Sequence, residues 1–145
     1  ILANGGKLVT PHIAKSIEYV DGNQVDLTFP KPRQVLEKET TDDVTEMLIN
    51  VVDKELKKGE VKMERYSIAA KTGTAQIADP VNGGYYSDRY LHSFFGYFPA
   101  YNPKFIVFIY HVYPKGADFA SETLTDPFIQ LTKLLINYYN IIPDR

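Results

Sequence analysis

The stretch Ile68-Ala69-Ala70-Lys71-Thr72-Gly73-Thr74-Ala75-Gln76 decides how the rest of the chain is read. From Tyr66 to Thr74 the residues alternate, with Tyr66, Ile68 and Ala70 on one side, which predicts a half-buried β-strand. Its second half carries the Lys71 ammonium, the Thr72 and Thr74 hydroxyls and, at Gly73, a position with no Cβ, where another backbone can approach closely. An extended peptide can add to such an edge by β-augmentation. The two hydroxyls suit a carboxylate, Lys71 adds positive charge beside them, and a strand N–H can face a developing oxyanion. Taken as a bare tripeptide, Lys-Thr-Gly fits an exposed strand end equally well.

Downstream, Asp79 to Arg89 is polar and holds Asn82-Gly83-Gly84, which predicts a loop. Leu91–Phe98 and Phe105–Tyr113 are rich in aromatic and β-branched residues, and Pro99–Lys104 joins them as a turn into an antiparallel pair. Both runs are apolar on both faces, so the pair is expected inside a sheet covered by helices on each side. Phe94, Phe95, Tyr97 and Phe98 are expected in the core, while Tyr85, Tyr86 and Tyr90 either line a cleft or pack on the sheet. A last helix is expected from Asp126, with Pro127 in its first position. Phe128, Leu131, Leu135 and Tyr138 would face the core with Leu134 beside them, and Gln130, Lys133 and Asn137 would face water.

Upstream, a helix is expected from Asp42 to Lys58, capped by Thr40 or Thr41 and stopped by Gly59, with Val44, Leu48, Val51, Val52 and Leu56 as its buried stripe. Pro11–Val20 is expected as a strand, Asp21-Gly22-Asn23 as a tight turn, and a second short strand follows to about Phe29. Pro30 to Glu39 is a surface connection. Ile1 to Gly6 resembles the last turn of a helix with its glycine stop, so the chain is expected to continue a preceding segment. Hairpin, helix, three strands, helix is an α+β order: an antiparallel sheet flanked by helices.

Composition excludes several alternatives. The net charge of −2 is scattered, so no basic stripe points to nucleic acid. There is no cysteine, hence no disulfide and no thiolate metal site. His12, His92 and His111 lack any ligand spacing and are expected to be satisfied structural residues. Asp42-Asp43 is accounted for by a helix N-terminus. No apolar run reaches the roughly 18 residues that span a bilayer.

Several blocks together resemble the class B penicillin-binding proteins, the monofunctional transpeptidases. Lys-Thr-Gly is one motif of serine β-lactamases and penicillin-binding proteins. Leu2-Ala3-Asn4-Gly5-Gly6 followed by Pro11 resembles the family's helix end before its second strand. Ala70 to Gln76 resembles its third-strand motif. Gly84-Tyr85, Ser93-Phe94-Phe95-Gly96-Tyr97-Phe98-Pro99 and Asn102-Pro103 resemble its fourth strand and the turn into the fifth. The resemblance runs from Ile1 to about Pro143. It implies a partial penicillin-binding/β-lactamase-like fold, with residues 1–145 the C-terminal portion of one transpeptidase domain.

The resemblance also implies acyl transfer on the D-Ala-D-Ala end of peptidoglycan stem peptides through a serine acyl-enzyme, with β-lactams as covalent ligands and no metal or organic cofactor. Carried over by motif, Lys71 supplies electrostatics and proton traffic. Thr72 and Thr74 bind the substrate or β-lactam carboxylate, Gly73 permits close approach, and the Thr74 N–H forms half of an oxyanion hole. The implied setting is the extracytoplasmic face of a bacterial membrane, with an anchor and cell-wall synthesis partners reached through upstream segments.

Two departures matter. None of Ser16, Ser67, Ser87, Ser93 and Ser121 has a lysine three residues on, and no Ser-x-Asn occurs, so the nucleophile is expected upstream and this piece alone is expected inactive. Gly116-Ala117-Asp118-Phe119-Ala120 lacks the family's glycine-rich run, whereas Ala70, where many relatives have glycine, is a small change expected to matter little. A β-lactamase or β-lactam sensor on the same fold, or a non-catalytic binding module, are the alternatives. The enzymatic reading expects a groove beside the Lys71 ammonium.

Overall fold

The computed structural model describes residues 1–145. Leu2–Asn4 forms a single 3₁₀ turn closed by Gly5 at φ 71°, whose N–H donates to Leu2 O. An arm of two small ribbons follows. β1 (Lys7–Leu8) pairs with β4 (Arg33–Gln34), and β2 (Ser16–Glu18) pairs with β3 (Gln24–Asp26) around the Asp21-Gly22-Asn23 turn. The long strands expected over 11–20 and up to 29 therefore shrink to three residues each. Apart from half-buried Ser16 both are exposed, and an uncovered two-stranded ribbon has too little to bury to grow longer.

The first helix, α1 (Lys38–Asn50), starts before the expected Asp42 and is shorter than expected. Thr40 and Thr41 lie inside it rather than capping it, and the Thr41 hydroxyl donates to Lys38 O at 2.7 Å. The chain then passes through a π turn, Val51–Glu55, and a 3₁₀ turn, Leu56–Gly59, where Lys57 and Lys58 adopt φ 46° and 56°. The buried face is Thr41, Thr45 and Ile49, continued by Val52 and Leu56; Val44, Leu48 and Val51 are only half-buried. Polar threonines win that face because the Thr45 hydroxyl meets the fully buried Tyr97 hydroxyl at 2.7 Å, which satisfies both.

The main sheet is antiparallel, in the order β5 (Ala69–Ala78), β6 (Tyr85–Phe98), β7 (Phe105–Val112). Lys71 pairs with Phe95, Gly73 with Ser93 and Thr74 with His92. The expected Asp79–Arg89 loop is confined to Asp79–Gly84, since Tyr85 to Arg89 already belong to β6. A bulge absorbs the extra residues: Gln76 faces Tyr90 but Ala78 faces Tyr85. The Arg89 guanidinium lies 3.9 Å from the Tyr86 ring in that bulge.

The last helix, α2 (Ala120–Tyr138), also begins earlier than expected, and Pro127 sits inside it. The reason is local: the Glu122 carboxylate accepts the N–H groups of Asp118 and Phe119, both at 3.0 Å, and so caps the helix there. Ala120, Leu124, Phe128, Ile129, Thr132 and Ile136 are buried, Leu131 and Leu135 are half-buried, and Leu134 and Tyr138 are exposed.

Side chains on one sheet face (Ala70, Phe94, Phe98, Val107) pack with Phe128 and Ile136 of α2, and the Phe94 and Phe128 rings stack at 4.3 Å. On the other face Ala69 and Tyr97 pack with Ile49 of α1, and Phe95 is only partly buried. Here the expectation of helices covering both faces is corrected. Cover by α1 stops at the Ala69–Tyr97 end, and Ile106, Phe108, Tyr110 and Val112 of β7 remain 55–63% exposed.

Candidate functional site

Lys71, Thr72, Gly73 and Thr74 lie on β5, at one edge of the sheet. Its outer side pairs with no strand, so N–H and C=O groups along it remain open for another chain. The register divides the four residues between the two faces. Lys71 and Gly73 share the face of Phe95 and Ser93, whereas Thr72 and Thr74 share that of Phe94 and His92. Ammonium and hydroxyls thus flank the edge from opposite sides and can converge only on something seated along it.

Each group has a definite environment. Lys71 is exposed, and its Nζ donates to Thr72 O at 2.9 Å. Thr72 is half-buried. A Cβ at Gly73 would stand 2.7 Å from Ser93 Oγ, and that hydroxyl donates to Gly73 O at 3.3 Å, so the space gained by the missing Cβ is occupied by Ser93. Ser93 therefore belongs to the sheet, as expected of a strand residue. Thr74 is exposed, and its Oγ1 accepts the N–H of Ala120, the first residue of α2, at 3.0 Å. That tie between strand and helix was not legible in a sequence reading that began the helix at Asp126. Glu122, three residues after Phe119, was the available signal for the earlier start.

His92, directly across from Thr74, is fully buried. Its Nδ1 is 2.9 Å from Thr123 Oγ1, but its Nε2 is buried without a partner, so the expectation of a satisfied histidine holds for one nitrogen only. His12 stacks on Phe29 at 3.7 Å, and His111 is exposed. No group of three or more histidine and acidic side chains is arranged to hold a metal ion, and no helix is long and apolar enough to cross a membrane. Tyr85 is exposed, while Tyr86 and Tyr90 are half-buried in the bulge.

A cavity of about 730 Å³ lies elsewhere, between the N-terminal turn, the start of α1 and the turn after β6, with Asn4, Lys38, Asp42 and Tyr101 among its walls. Hydrogen bonding to Glu46 raises the Tyr101 phenol above its ordinary range there. Lys71 lines neither this cavity nor two others of about 340 and 400 Å³. None of the three is the groove expected beside its ammonium, and geometry alone would leave β5 an open edge.

Comparison with known proteins supplies what the geometry leaves open. Residues 1–130 match the penicillin binding protein transpeptidase domain, and the chain belongs to that family. It is 32% identical over 97% of its length to penicillin-binding protein PbpB of Mycolicibacterium smegmatis, and 33% identical over 87% to stage V sporulation protein D of Bacillus subtilis. It spans 23% and 19% of those proteins. Among solved structures, penicillin-binding protein 3 of Mycobacterium tuberculosis complexed with ampicillin superposes with a TM-score of 0.82 at 28% identity, over 99% of this chain and 33% of that one. The same protein complexed with aztreonam gives 0.82 at 27% identity, over 99% of this chain and 34% of that one. The class B resemblance and the α+β transpeptidase fold expected from the sequence both hold.

Proposed function

We propose that residues 1–145 are the C-terminal portion of the transpeptidase domain of a peptidoglycan D,D-transpeptidase, and that they form one wall of its active site. Support comes from one observation above all: the Lys-Thr-Gly-Thr segment occupies the open edge of β5 in a chain of this family. The other wall, bearing the nucleophilic serine and its partner lysine, lies upstream of Ile1 in this reading. That accounts for an ammonium with no groove of its own.

The substrate's D-Ala-D-Ala end lies along β5 as an added strand. The serine oxygen attacks the penultimate carbonyl, the C–N bond breaks, and terminal D-alanine leaves with a proton on its amine. An amine from a neighbouring stem peptide then attacks the acyl-enzyme and returns the serine. Lys71 contributes positive charge and proton traffic, Thr72 and Thr74 hold the terminal carboxylate, and Gly73 permits close approach of the substrate backbone when the Ser93 hydroxyl beside it rotates aside. The Thr74 N–H supplies half of the oxyanion hole. A β-lactam enters the same path and stays as the acyl-enzyme. No metal or organic cofactor takes part, the 145 residues alone are inactive, and the parent protein works at the extracytoplasmic face of the membrane, held by an upstream anchor among cell-wall synthesis partners.

Labelling of the full-length protein with a fluorescent penicillin tests this. Wild type should label covalently and Lys71→Ala should label at least about a hundredfold more slowly, in line with loss of an acid–base group. Undiminished labelling of Lys71→Ala removes Lys71 from the mechanism, and absence of wild-type labelling removes the assignment.

A further inference from the structure

We infer that the first turn of α2 is a positioning device for the Thr74 hydroxyl, turning it into a fixed hydrogen-bond donor toward an anionic group on the outer edge of β5. The inference rests on the reading above for the identity of that group, a carboxylate. The N–H of a helix's first residue has no acceptor within the helix. Here the Ala120 N–H donates to Thr74 Oγ1 at 3.0 Å. A hydroxyl has a single proton and accepts through its lone pairs. With a lone pair taken by a fixed donor on α2, the Thr74 proton is left free to donate elsewhere, and Thr74 is exposed. The positive end of a 19-residue helix behind the hydroxyl favours negative charge in front of it.

The turn that supplies this N–H is itself held in place. Ala120 is fully buried, and Glu122 caps the turn through the N–H groups of Asp118 and Phe119. Buried His92 of β6, across from Thr74, meets Thr123 Oγ1 at 2.9 Å, so the helix is joined to both strands within one turn. Ala120, Thr123 and His92 act through Thr74 and are positioning residues.

Two measurements on the full-length protein test this. The first is amide hydrogen exchange, which needs no activity. Thr74→Val should speed exchange at Ala120 about tenfold, and Thr74→Ser should restore protection; unchanged protection in Thr74→Val overturns the tie. The second compares acylation by benzylpenicillin with acylation by its methyl ester. Ala120→Pro deletes the N–H at the first helical position, where proline is tolerated, after a Phe119 already extended at φ −122°, ψ 142°. It should lower the carboxylate-over-ester rate ratio about tenfold, the worth of one hydrogen bond to a charged group. Thr123→Val, which releases the turn from His92 with less risk to folding, should lower the same ratio by a smaller factor. An unchanged ratio in both variants, or equal losses on both compounds, overturns the positioning role. Failure of wild type to acylate at all overturns the transpeptidase reading instead, and the anionic ligand with it, while the exchange result still decides the Ala120–Thr74 tie.

Discussion

The Asp144 carboxylate accepts both the backbone N–H and the hydroxyl of Ser67, seventy-seven residues earlier in the chain. Ser67 is fully buried immediately before Ile68 and β5, and the Ala100 N–H is shared between its O and its Oγ, at 3.0 and 2.9 Å. Beside it, Arg145 grips the Asp53 carboxylate through both terminal nitrogens and donates to Met63 O, and Asp53 raises the guanidinium pKa. The last residues thereby fasten the entry to β5 to the π turn at Asp53, while Ser67 itself ties that entry to the turn after β6.

Cutting that fastening strands buried polar groups. Asp144→Ala leaves the Ser67 N–H and hydroxyl without their acceptor, a loss of about 1–3 kcal/mol. Chemical denaturation of the full-length protein should show a lower midpoint at unchanged slope, and Asp144→Asn should lose less. A midpoint that does not move would mean the tail does not hold β5.

Thr45→Val tests the polar contact that sets the face of α1. The substitution keeps the volume but leaves the Tyr97 hydroxyl buried without its partner, at a cost of about 1–3 kcal/mol. Burial, opposed by the bond to Thr45, holds the Tyr97 phenol pKa above its ordinary 10.0. Stability contributed by the protonated phenol is full below pH 10 and is lost as pH rises through the folded value, so Tyr97→Phe should flatten the alkaline end of the stability–pH curve.

The two glycines of the β5–β6 pair should respond unequally. A Cβ at Gly73 meets only Ser93 Oγ, the end of a side chain that can rotate aside, so Gly73→Ala should cost under about 1 kcal/mol of stability. At Gly96 it meets Phe128 Cζ at 2.5 Å, Ala70 Cβ at 2.8 Å and Ala69 O at 3.0 Å, none of which can yield cheaply. Gly96→Ala should cost about 1–3 kcal/mol or more, read as a drop in melting temperature.

Acid should loosen the β5–β6 turn. Hydrogen bonds from the Asn82 side chain and from the N–H groups of Asn82 and Val81 lower the Asp79 pKa below 3.8. The lowered value means the turn's contribution is present above pH 3.8 and lost as pH falls through the folded pKa. Amide shifts of Val81 and Asn82 should move with acid in wild type and stay flat in Asp79→Ala.

The open β7 face predicts behaviour in isolation. Ile106, Phe108, Tyr110 and Val112 present a continuous apolar strip, and the 145-residue polypeptide expressed alone should aggregate or unfold. A sharp cooperative melt of its monomer would contradict this.

What the sequence by itself determined is local. Alternation named β5, aromatic and β-branched runs named β6 and β7, glycines at 5 and 22 marked real turns, and Lys71 to Thr74 with the Ser93–Pro99 block carried the family, because these signals lie within a few neighbouring residues. Tertiary structure decided the rest. Thr45 rather than Val44 turned inward because Tyr97, fifty-two residues on, offered a hydroxyl. The bond from the Ala120 N–H to Thr74 of β5 tied down a helix start that Asp126-Pro127 had disguised, even though the Glu122 cap there is local. The orientation of the Thr74 hydroxyl came from Ala120, forty-six residues away. A hydrogen bond between such distant groups leaves no periodicity to read.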